Sequence, residues 1–322
     1  MIEIKGVAVI SGVTGQDGII LSKILEKNKY IVIGLTRSIK NAKSKQLKYN
    51  VLKNVKLLET DYHVNSLLSI LEEYKPHLFF NLAGQSFVSK SWELIEETIW
   101  SQGNITGNIL EAIRSSKNKD IKFVNASSSE IFDSRLPPPY SEKSLRKPYN
   151  PYGCAQILST QLVEVFRERY FLHASNAILF PHESLFRDDN FFFKKVILGV
   201  KKITLGECNV LEIGNTEIIR DWGCAEEYME GVYKISQLDS PKDICFATNK
   251  PQTVEQIVDT AFSIRGISWR DYVVINEKYH RFYEPEVVYG CPLIAKKHLG
   301  WTPKLWGKSL IEKISAELDS FK

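Results

Sequence analysis

Two short runs in the sequence carry hydroxyl, phenol and carboxyl groups that could act on an alcohol. Ser127-Ser128-Ser129-Glu130 ends a strand-like apolar run, and Tyr152 follows Asn150-Pro151 at the start of a helical pattern. In this order we expect Ser128 and Tyr152 to converge on one substrate hydroxyl. Tyr152 would accept its proton as hydride leaves for a nicotinamide, while Ser128 holds the oxygen. Taken alone, Tyr152 is more often a half-buried helix tyrosine, so the catalytic interpretation depends on the fold around it.

A glycine-rich turn follows the first strand-like run and opens the first helix, with the sequence Gly12-Val13-Thr14-Gly15-Gln16-Asp17-Gly18. Gly12, Gly15 and Gly18 allow a tight turn, close approach of a pyrophosphate and close helix–strand packing. Free N–H groups at the helix start bind the anion. The turn therefore predicts a dinucleotide cofactor, with Gln16 and Asp17 among its contacts.

The loop after the second strand bears on the choice between NAD and NADP. It reads Gly34-Leu35-Thr36-Arg37-Ser38, without the carboxylate that usually binds a ribose diol. Arg37, helped by Ser38 or Lys40, is suited to a 2′-phosphate, and the alternative is a solvated arginine in a basic loop. Asp61, after the third strand, is expected to cap the adenine edge. We expect NADP or NAD, tightly bound, with a slight preference for NADP.

The elements that must position these groups alternate along the first half of the chain. Strands are expected at Val7–Ser11, Tyr30–Leu35, Val55–Glu59, Leu78–Asn81 and Ile121–Asn125, and helices at Gln16–Asn28, Asn65–Tyr74 and Glu93–Ser115. The strand-like runs are largely apolar throughout, as in strands covered on both faces. The pattern predicts an α/β fold with a doubly wound parallel sheet of the Rossmann type.

Beyond about residue 180 the pattern loosens, with later helices expected at Val254–Ile264 and Ser309–Phe321. We expect an NAD(P)-binding Rossmann domain over residues 1–180. A smaller, partly discontinuous substrate lobe over residues 181–322 would share its cleft. No low-complexity linker separates the two.

Composition excludes several classes of function. Hydrophobic content of 43%, charged content of 25% and a net charge of +4 suit a globular protein and give no reason to expect nucleic acid. Apolar runs are strand-length, which predicts no membrane span. The five cysteines form no C-x-x-C pair, so we expect a reducing, cytoplasmic location and no metal site.

Motifs along nearly the whole chain closely resemble GDP-mannose 4,6-dehydratases, which are extended short-chain dehydrogenase/reductases. The His182-Glu183-Ser184 and Arg220-Asp221-Trp222-Gly223 segments are far more specific than the glycine turn. The other matching segments are Gly12–Gly18, Asn81–Ser86, Ser127–Glu130, Pro151–Ala155, Gly214-Asn215 and Leu299-Gly300-Trp301.

The resemblance implies a GDP-sugar of manno configuration as substrate. Basic residues suit its diphosphate and a carboxylate suits a ribose diol, although any one of these residues could instead form a surface ion pair. The substrate contacts it implies are Ser86, Glu130, Lys195, Arg220, Arg281 and Glu284, and the further cofactor contacts are Leu82, Ala83, Tyr152, Gln156 and His182.

The resemblance also implies a homodimer or homotetramer. The helix around Glu93–Ser115 and the helix that starts at Tyr152 would pair across subunits. The run Phe191-Phe192-Phe193 is apolar enough for a contact, with core packing as the alternative.

The main departure from the family pattern is Gln156, where the Tyr-x-x-x-Lys motif has its lysine. Glutamine can replace the hydrogen bond to the nicotinamide ribose but not the charge that stabilises the tyrosine phenolate. Ser128 replaces a threonine, Asp133 a glycine, and Pro181 an asparagine expected to contact the diphosphate. Changes around one site suggest altered chemistry.

Three functions remain open from the sequence. The first is oxidation at carbon 4 of a GDP-linked hexose or heptose that stops at the 4-keto sugar, in the synthesis of surface or capsular polysaccharide precursors. The second is a complete 4,6-dehydratase, in which Glu130 would remove the proton at carbon 5. The third is a catalytically weak binding subunit, suggested only by the loss of the lysine.

Overall fold

A computed structural model describes residues 3–279 and 283–321, which form two compact units. The first contains the chain up to Phe132, Leu145–Leu179 and Met229–Ile244, and the second contains Asp133–Ser144, Phe180–Tyr228 and the chain from Cys245 onward. Each unit has its own hydrophobic core. The second unit is assembled from three separate stretches of chain.

The strands are, in chain order, β1 (Gly6–Ser11), β2 (Tyr30–Thr36), β3 (Lys56–Glu59), β4 (Leu78–Asn81), β5 (Lys122–Ser128), β6 (Ala174–Leu179), β7 (His182–Glu183), β8 (Leu211–Ile213), β9 (Ile219–Arg220), β10 (Gly223–Cys224), β11 (Ile244–Phe246), β12 (Gln252–Thr253), β13 (Val273–Ile275) and β14 (Val287–Val288).

The α-helices are α1 (Gln16–Lys27), α2 (Ile39–Tyr49), α3 (Val64–Tyr74), α4 (Ile95–Ile99), α5 (Ile105–Ser115), α6 (Pro151–Tyr170), α7 (Phe192–Thr204), α8 (Ala225–Ser236), α9 (Val254–Ser263), α10 (Leu293–Leu299) and α11 (Gly307–Ser320). Short 3₁₀ segments cover Val88–Trp92, Ser129–Ile131, Trp269–Asp271 and Glu277–Tyr279.

The central sheet has seven strands in the order β11-β6-β5-β4-β1-β2-β3, and β1 to β6 are mutually parallel. The chain moves outward from β1 in both directions, which confirms the predicted doubly wound Rossmann fold. The two directions diverge between β1 and β4. In such sheets the crevice at the carboxyl ends of these two strands is the usual ligand site.

The sheet forms because its strands are apolar on both faces. All four residues of β4, Leu78–Asn81, are buried. On the helix side, α5 buries Ile105, Ile109 and Ile113, which recur at intervals of four residues. These side chains pack with Val9 and Phe123 into the core of the first unit.

Two helices in the first half of the chain differ from the sequence predictions, and α7, α8 and α10 in the second half were not predicted. The polar helix α2 was not predicted, because it buries only Ala42 and therefore carries no apolar stripe. The helix predicted over Glu93–Ser115 begins at Ile95 and contains a π-helical turn, Trp100–Asn104, between α4 and α5. A π turn adds one residue to a helical turn and often marks a functional site.

The second unit has smaller sheets, formed by the pair β10-β7, the triplet β12-β9-β14 and the pair β13-β8. Its core contains Phe193, whose ring lies 6.2 Å from that of Trp222, and the ring of Phe192 lies 5.7 Å from the same tryptophan. The Phe191-Phe192-Phe193 run therefore contributes to the core of this unit. None of the described helices combines the length and the apolar character needed to cross a membrane.

Candidate active site

The glycine turn lies at the carboxyl end of β1 and meets the chain that follows β4. Gly12 has a φ of +70°, and a Cβ there would lie 2.5 Å from the carbonyl oxygen of Leu82. Its carbonyl accepts from the backbone N–H of Gly15, the N-cap of α1, at 3.0 Å. Only glycine at position 12 allows this approach without a clash.

Ser11 fixes the two strand ends that flank the crevice. Its hydroxyl donates to Asn81 Oδ1 at 2.6 Å and accepts from the backbone N–H groups of Leu82 and Ala83 at 3.2 and 3.3 Å. Leu82 and Ala83, predicted to contact the cofactor, are thereby held beside Gly12. Ser86 follows a few residues later and is exposed.

The side chains that the sequence predicts to be catalytic come from the end of β5 and the start of α6. Asn150 is the N-cap of α6: its Oδ1 accepts from the N–H of Gly153 at 2.7 Å, and Pro151 occupies the first turn. The Asn150 amide also donates to Glu130 Oε2 at 2.8 Å. A Cβ on Gly153 would lie 2.5 Å from the carbonyl oxygen of Glu130, so the two segments are in close contact.

Ser128, the last residue of β5, accepts from the N–H of Glu130 at 3.2 Å. Its neighbour Ser127 faces the opposite way and shares a hydrogen bond of 2.7 Å with Thr160 on α6. Since β5 and α6 belong to the same unit, the structure brings Ser128, Glu130 and Tyr152 onto adjoining elements.

Gln156 lies one helical turn after Tyr152 and is 3% exposed. Its Nε2 donates to Tyr152 Oη at 3.2 Å and to Gln102 Oε1 at 3.0 Å. Its Oε1 is buried and has no hydrogen-bond partner among the described residues. A buried acceptor without a donor is costly unless a ligand satisfies it. The motif position thus holds an amide that binds the phenol and leaves one buried acceptor without a donor among the described residues.

The residues present fit a dinucleotide cofactor. The turn leads into the amino end of α1, whose N-cap, Gly15, has no side chain to cap it, and an anion is favoured at such a helix end. The unpaired Gln156 Oε1 fits a hydroxyl donor such as a ribose. Gln16 is buried at the first position of α1, and Asp17 lies in its first turn.

Arg37 and Asp61 line a pocket of about 900 Å³ at the carboxyl ends of β2 and β3. Arg37 is exposed and pairs with Glu97 at 3.4 Å. The other acidic side chains that line the pocket are Glu59, Asp61 and Glu96. A hydrogen bond from the backbone N–H of His63 lowers the pKa of Asp61. Arg37 therefore shares its pocket with four carboxylates, one of which it contacts, and the sequence did not reveal this setting.

Several predicted residues lie in the second unit. His182, in β7, is buried, its ring stacks on that of Tyr228 at 4.9 Å, and its Nδ1 lies 2.7 Å from the carbonyl oxygen of Phe180. This contact fixes the orientation of the imidazole. The Lys195 ammonium, on α7, lies 3.6 Å from the centre of the Tyr279 ring.

Arg220 and Glu284 are brought together in the same unit. Arg220 Nη2 lies 3.3 Å from Glu284 Oε1, and Nη1 donates to the carbonyl oxygens of Ile219 and Glu286. Arg220 is 8% exposed, and the nitrogen atoms of its guanidinium are held by these partners. Arg281, predicted to bind substrate, lies outside the described residues.

Sequence reasoning missed four residues beside the candidate site. Ser11 and Gln102 accept hydrogen bonds from Leu82 and Gln156, and the Gln85 backbone N–H donates to the Ser101 hydroxyl at 3.1 Å. Gln85 and Ser86 end the Asn-Leu-Ala-Gly-Gln-Ser segment, so that motif was the available signal for Gln85. Gln102 gave no signal, because it is a single polar residue in a helical pattern. The described residues contain no group of acidic, histidine or cysteine side chains suited to a metal ion, and all five cysteines are free thiols.

Known proteins match the chain over almost its whole length. A family model described as GDP-mannose 4,6 dehydratase matches residues 9–314. GDP-mannose 4,6 dehydratase 2 of Arabidopsis thaliana is 33% identical over 328 residues, covering 98% of this chain and 88% of that protein. The human GDP-mannose 4,6 dehydratase is 32% identical over 342 residues, covering 98% and 92%.

Solved structures share the fold at lower identity. UDP-glucose 4-epimerase from Thermotoga maritima, solved with UDP-glucose, has a TM-score of 0.85 at 18% identity and covers 97% of this chain and 98% of that one. UDP-glucuronic acid 4-epimerase from Bacillus cereus, in complex with UDP-glucuronic acid and NAD, has a TM-score of 0.84 at 17% identity, with coverage of 98% and 100%.

Proposed function

This chain belongs to the GDP-mannose 4,6-dehydratase family, and we propose that it oxidises carbon 4 of a GDP-linked sugar of manno configuration and releases the 4-keto sugar. The sugar is a hexose or a heptose. A product of this kind is a precursor for surface or capsular polysaccharide.

The cofactor is NAD or NADP. The glycine turn at Gly12–Gly18 would hold its pyrophosphate, Leu82 and Ala83 would line its path, and Gln156 Oε1 would accept from the nicotinamide ribose. When bound, the nicotinamide supplies the hydride acceptor for an alcohol oxidation. A cofactor that serves within one catalytic cycle should dissociate slowly, so we expect it to copurify.

Tyr152 is the proton acceptor in this proposal and Ser128 holds the substrate oxygen. The observation that carries the proposal is the Gln156 amide, which donates to Tyr152 Oη at 3.2 Å. A neutral amide stabilises a phenolate less than an ammonium would, because it supplies the hydrogen bond without the charge. We infer that the hydride step is slower or differently timed than with a lysine, and that the sugar leaves as the ketone while the cofactor stays bound in its reduced form. A second, oxidising substrate must then reoxidise the cofactor before the next turnover.

The complete 4,6-dehydratase is a second candidate, favoured by the contact of Glu130 with Asn150. Its carboxylate is held at 2.8 Å by an amide donor, which keeps an acceptor beside the first turn of α6. In this alternative Glu130 removes the proton at carbon 5, water leaves from carbon 6, and the cofactor is restored within the cycle.

Mass analysis of the product distinguishes the candidates. Purified protein is incubated with GDP-mannose or a GDP-linked manno-heptose, and the redox state of the bound cofactor is followed by absorbance. Oxidation alone removes two hydrogen atoms and leaves the cofactor reduced, whereas the dehydratase removes one water and leaves it oxidised.

Glu130→Gln is the matched variant for this experiment, since glutamine keeps an oxygen that can accept from Asn150. Because Glu130 is also assigned to substrate binding, the test is made at saturating sugar, where the keto product should still form in Glu130→Gln if our proposal holds. Loss of water that disappears in Glu130→Gln would instead establish the dehydratase. Bound cofactor with neither product would favour the catalytically weak binding subunit.

Substrate binding is assigned to Ser86, Glu130, Lys195, Arg220, Arg281 and Glu284. The support within the described residues is the buried Arg220 guanidinium, whose fixed fork suits a diphosphate. Its pairing with Glu284 at 3.3 Å also gives a neighbouring carboxylate suited to a ribose diol.

We further propose a cytoplasmic homodimer or homotetramer. Helices α4 and α6 leave apolar side chains in solvent: Ile95 and Ile99 are 47% and 41% exposed, and Leu158 and Val165 are 40% and 55% exposed. Covering such residues with a second copy would remove apolar surface from water.

A further inference from the structure

We propose that Gln102 is a positioning residue that fixes which end of the Gln156 amide faces the phenol oxygen of Tyr152. The inference deepens the proposed function, since it rests on Tyr152 as the proton acceptor. It concerns a residue in the π turn Trp100–Asn104, which no motif of the sequence singled out.

The Gln102 side chain is 5% exposed and confined on two sides. Its Nε2 donates to the backbone carbonyl oxygen of Gln85 at 2.8 Å. A Cβ added to Gly84 would lie 2.2 Å from the same Nε2. The amide of Gln102 therefore packs directly on the backbone of the segment that follows β4.

The backbone contact decides the orientation of both amides. A carbonyl oxygen only accepts, so the end of the Gln102 side chain that faces Gln85 must be the NH₂ group. Its oxygen then faces Gln156 at 3.0 Å, and the facing atom of Gln156 must in turn be a donor. The Gln85 carbonyl thus dictates the orientation of the Gln156 amide through Gln102.

This orientation matters because the Gln156 NH₂ group also donates to Tyr152 Oη. A donated hydrogen bond stabilises a phenolate, the form that accepts a proton. With the amide reversed, Gln156 Oε1 would accept from the phenol O–H and stabilise the protonated form instead. Gln102 therefore acts on the reaction through Gln156, without touching the substrate.

The test is an ultraviolet titration of the Tyr152 phenol in the cofactor-loaded, full-length protein. Each variant is compared with its own Tyr152→Phe counterpart, so that the difference spectrum isolates one tyrosine. Gln102→Leu has a similar size but neither donor nor acceptor, and it should raise the midpoint of phenol ionisation by about one pH unit.

A second background separates positioning from packing. In Gln156→Lys the side chain ends in donors only, so it cannot present an acceptor to Tyr152. Gln102→Leu should then change the midpoint by less than about a third of its effect in the natural background. An equal change in both backgrounds would mean that Gln102 only supports the helix, and no change in either would also overturn the proposal.

Gly84→Ala is the second variant should Gln102→Leu fail to fold, as judged by melting temperature and bound cofactor. The added methyl must displace the Gln102 amide, so the same rise in midpoint is expected. The titration needs no sugar. A protein that shows the predicted rise in midpoint yet makes no keto product would retain this inference and lose the proposed function.

Discussion

Replacing Gln156 by lysine tests whether the absence of a positive charge at this position limits the rate of hydride transfer. The side chain is buried and its Nε2 lies 3.2 Å from Tyr152 Oη. A unit charge at that distance interacts with a phenolate by about 5 kcal/mol at an effective dielectric constant of about 20. Burying the ammonium offsets much of this, so the phenol midpoint is expected to fall by about one to two pH units.

The sign follows from the form that is stabilised. A cation favours the phenolate, so the pH at which hydride transfer becomes half-maximal should fall in Gln156→Lys. At a fixed pH below that midpoint, the rate should rise by about tenfold for every pH unit by which the midpoint falls. Substrate affinity should change little, because position 156 is expected to face the cofactor ribose.

The assay is single-turnover reduction of the bound cofactor, followed by absorbance over a range of pH. Gln156→Met is the control, since it is similar in length and adds no charge, and it should not show the fall in midpoint. A folded, cofactor-loaded Gln156→Lys protein with an unchanged pH profile would refute the electrostatic explanation. That result would favour the alternative function, a complete 4,6-dehydratase that tolerates glutamine at this position.

Four other predictions concern the site and its surroundings. Tyr152→Phe should retain GDP-sugar binding by calorimetry and lower turnover by at least about 10²-fold, and a smaller loss would exclude it as the proton acceptor. If NADP is the cofactor, Arg37→Ala should weaken NADP binding by about tenfold and Glu97→Ala should strengthen it. Bound NAD, with an affinity that Arg37→Ala leaves unchanged, would contradict the assignment. Leu158→Glu should convert the oligomer to a monomer in light scattering at micromolar concentration. A protein that is monomeric without the substitution would contradict the proposed oligomer. Burial lowers the pKa of His173, so protonating this histidine disfavours the folded state. The free energy of unfolding should therefore fall as pH drops below the ordinary value of 6.5. In denaturant unfolding, His173→Gln should lose less stability over the same pH range.

The fold was predictable because its signals are local. Strands such as β4 are apolar at successive positions, and glycine follows β1 where a tight turn is needed. Helix α2 was not predicted because its residues are polar on almost every side. The π turn was not predicted because one added residue scarcely changes the helical pattern over Glu93–Ser115.

The contacts of the candidate site were predictable between residues of one motif and not between residues that are distant in the chain. Tyr152 and Gln156 lie on one helix face four residues apart, as their spacing requires. Gln102 lies 54 residues from Gln156 in the chain and meets it only in the folded structure. Likewise, the pairing of Arg37 with Glu97 joins residues that no local pattern connects.

The double role of Asn150 ties the order of one helix end to the chemistry of the site. Its carbonyl oxygen Oδ1 holds the Gly153 N–H and its Nδ2 holds Glu130, so both contacts depend on one side-chain rotamer. Helix ends open more readily than helix centres, and a fluctuation that frays this turn would release Glu130 and loosen Tyr152 together. If Glu130 and Tyr152 act as proposed, local opening of this end of α6 would remove both groups together, without global unfolding.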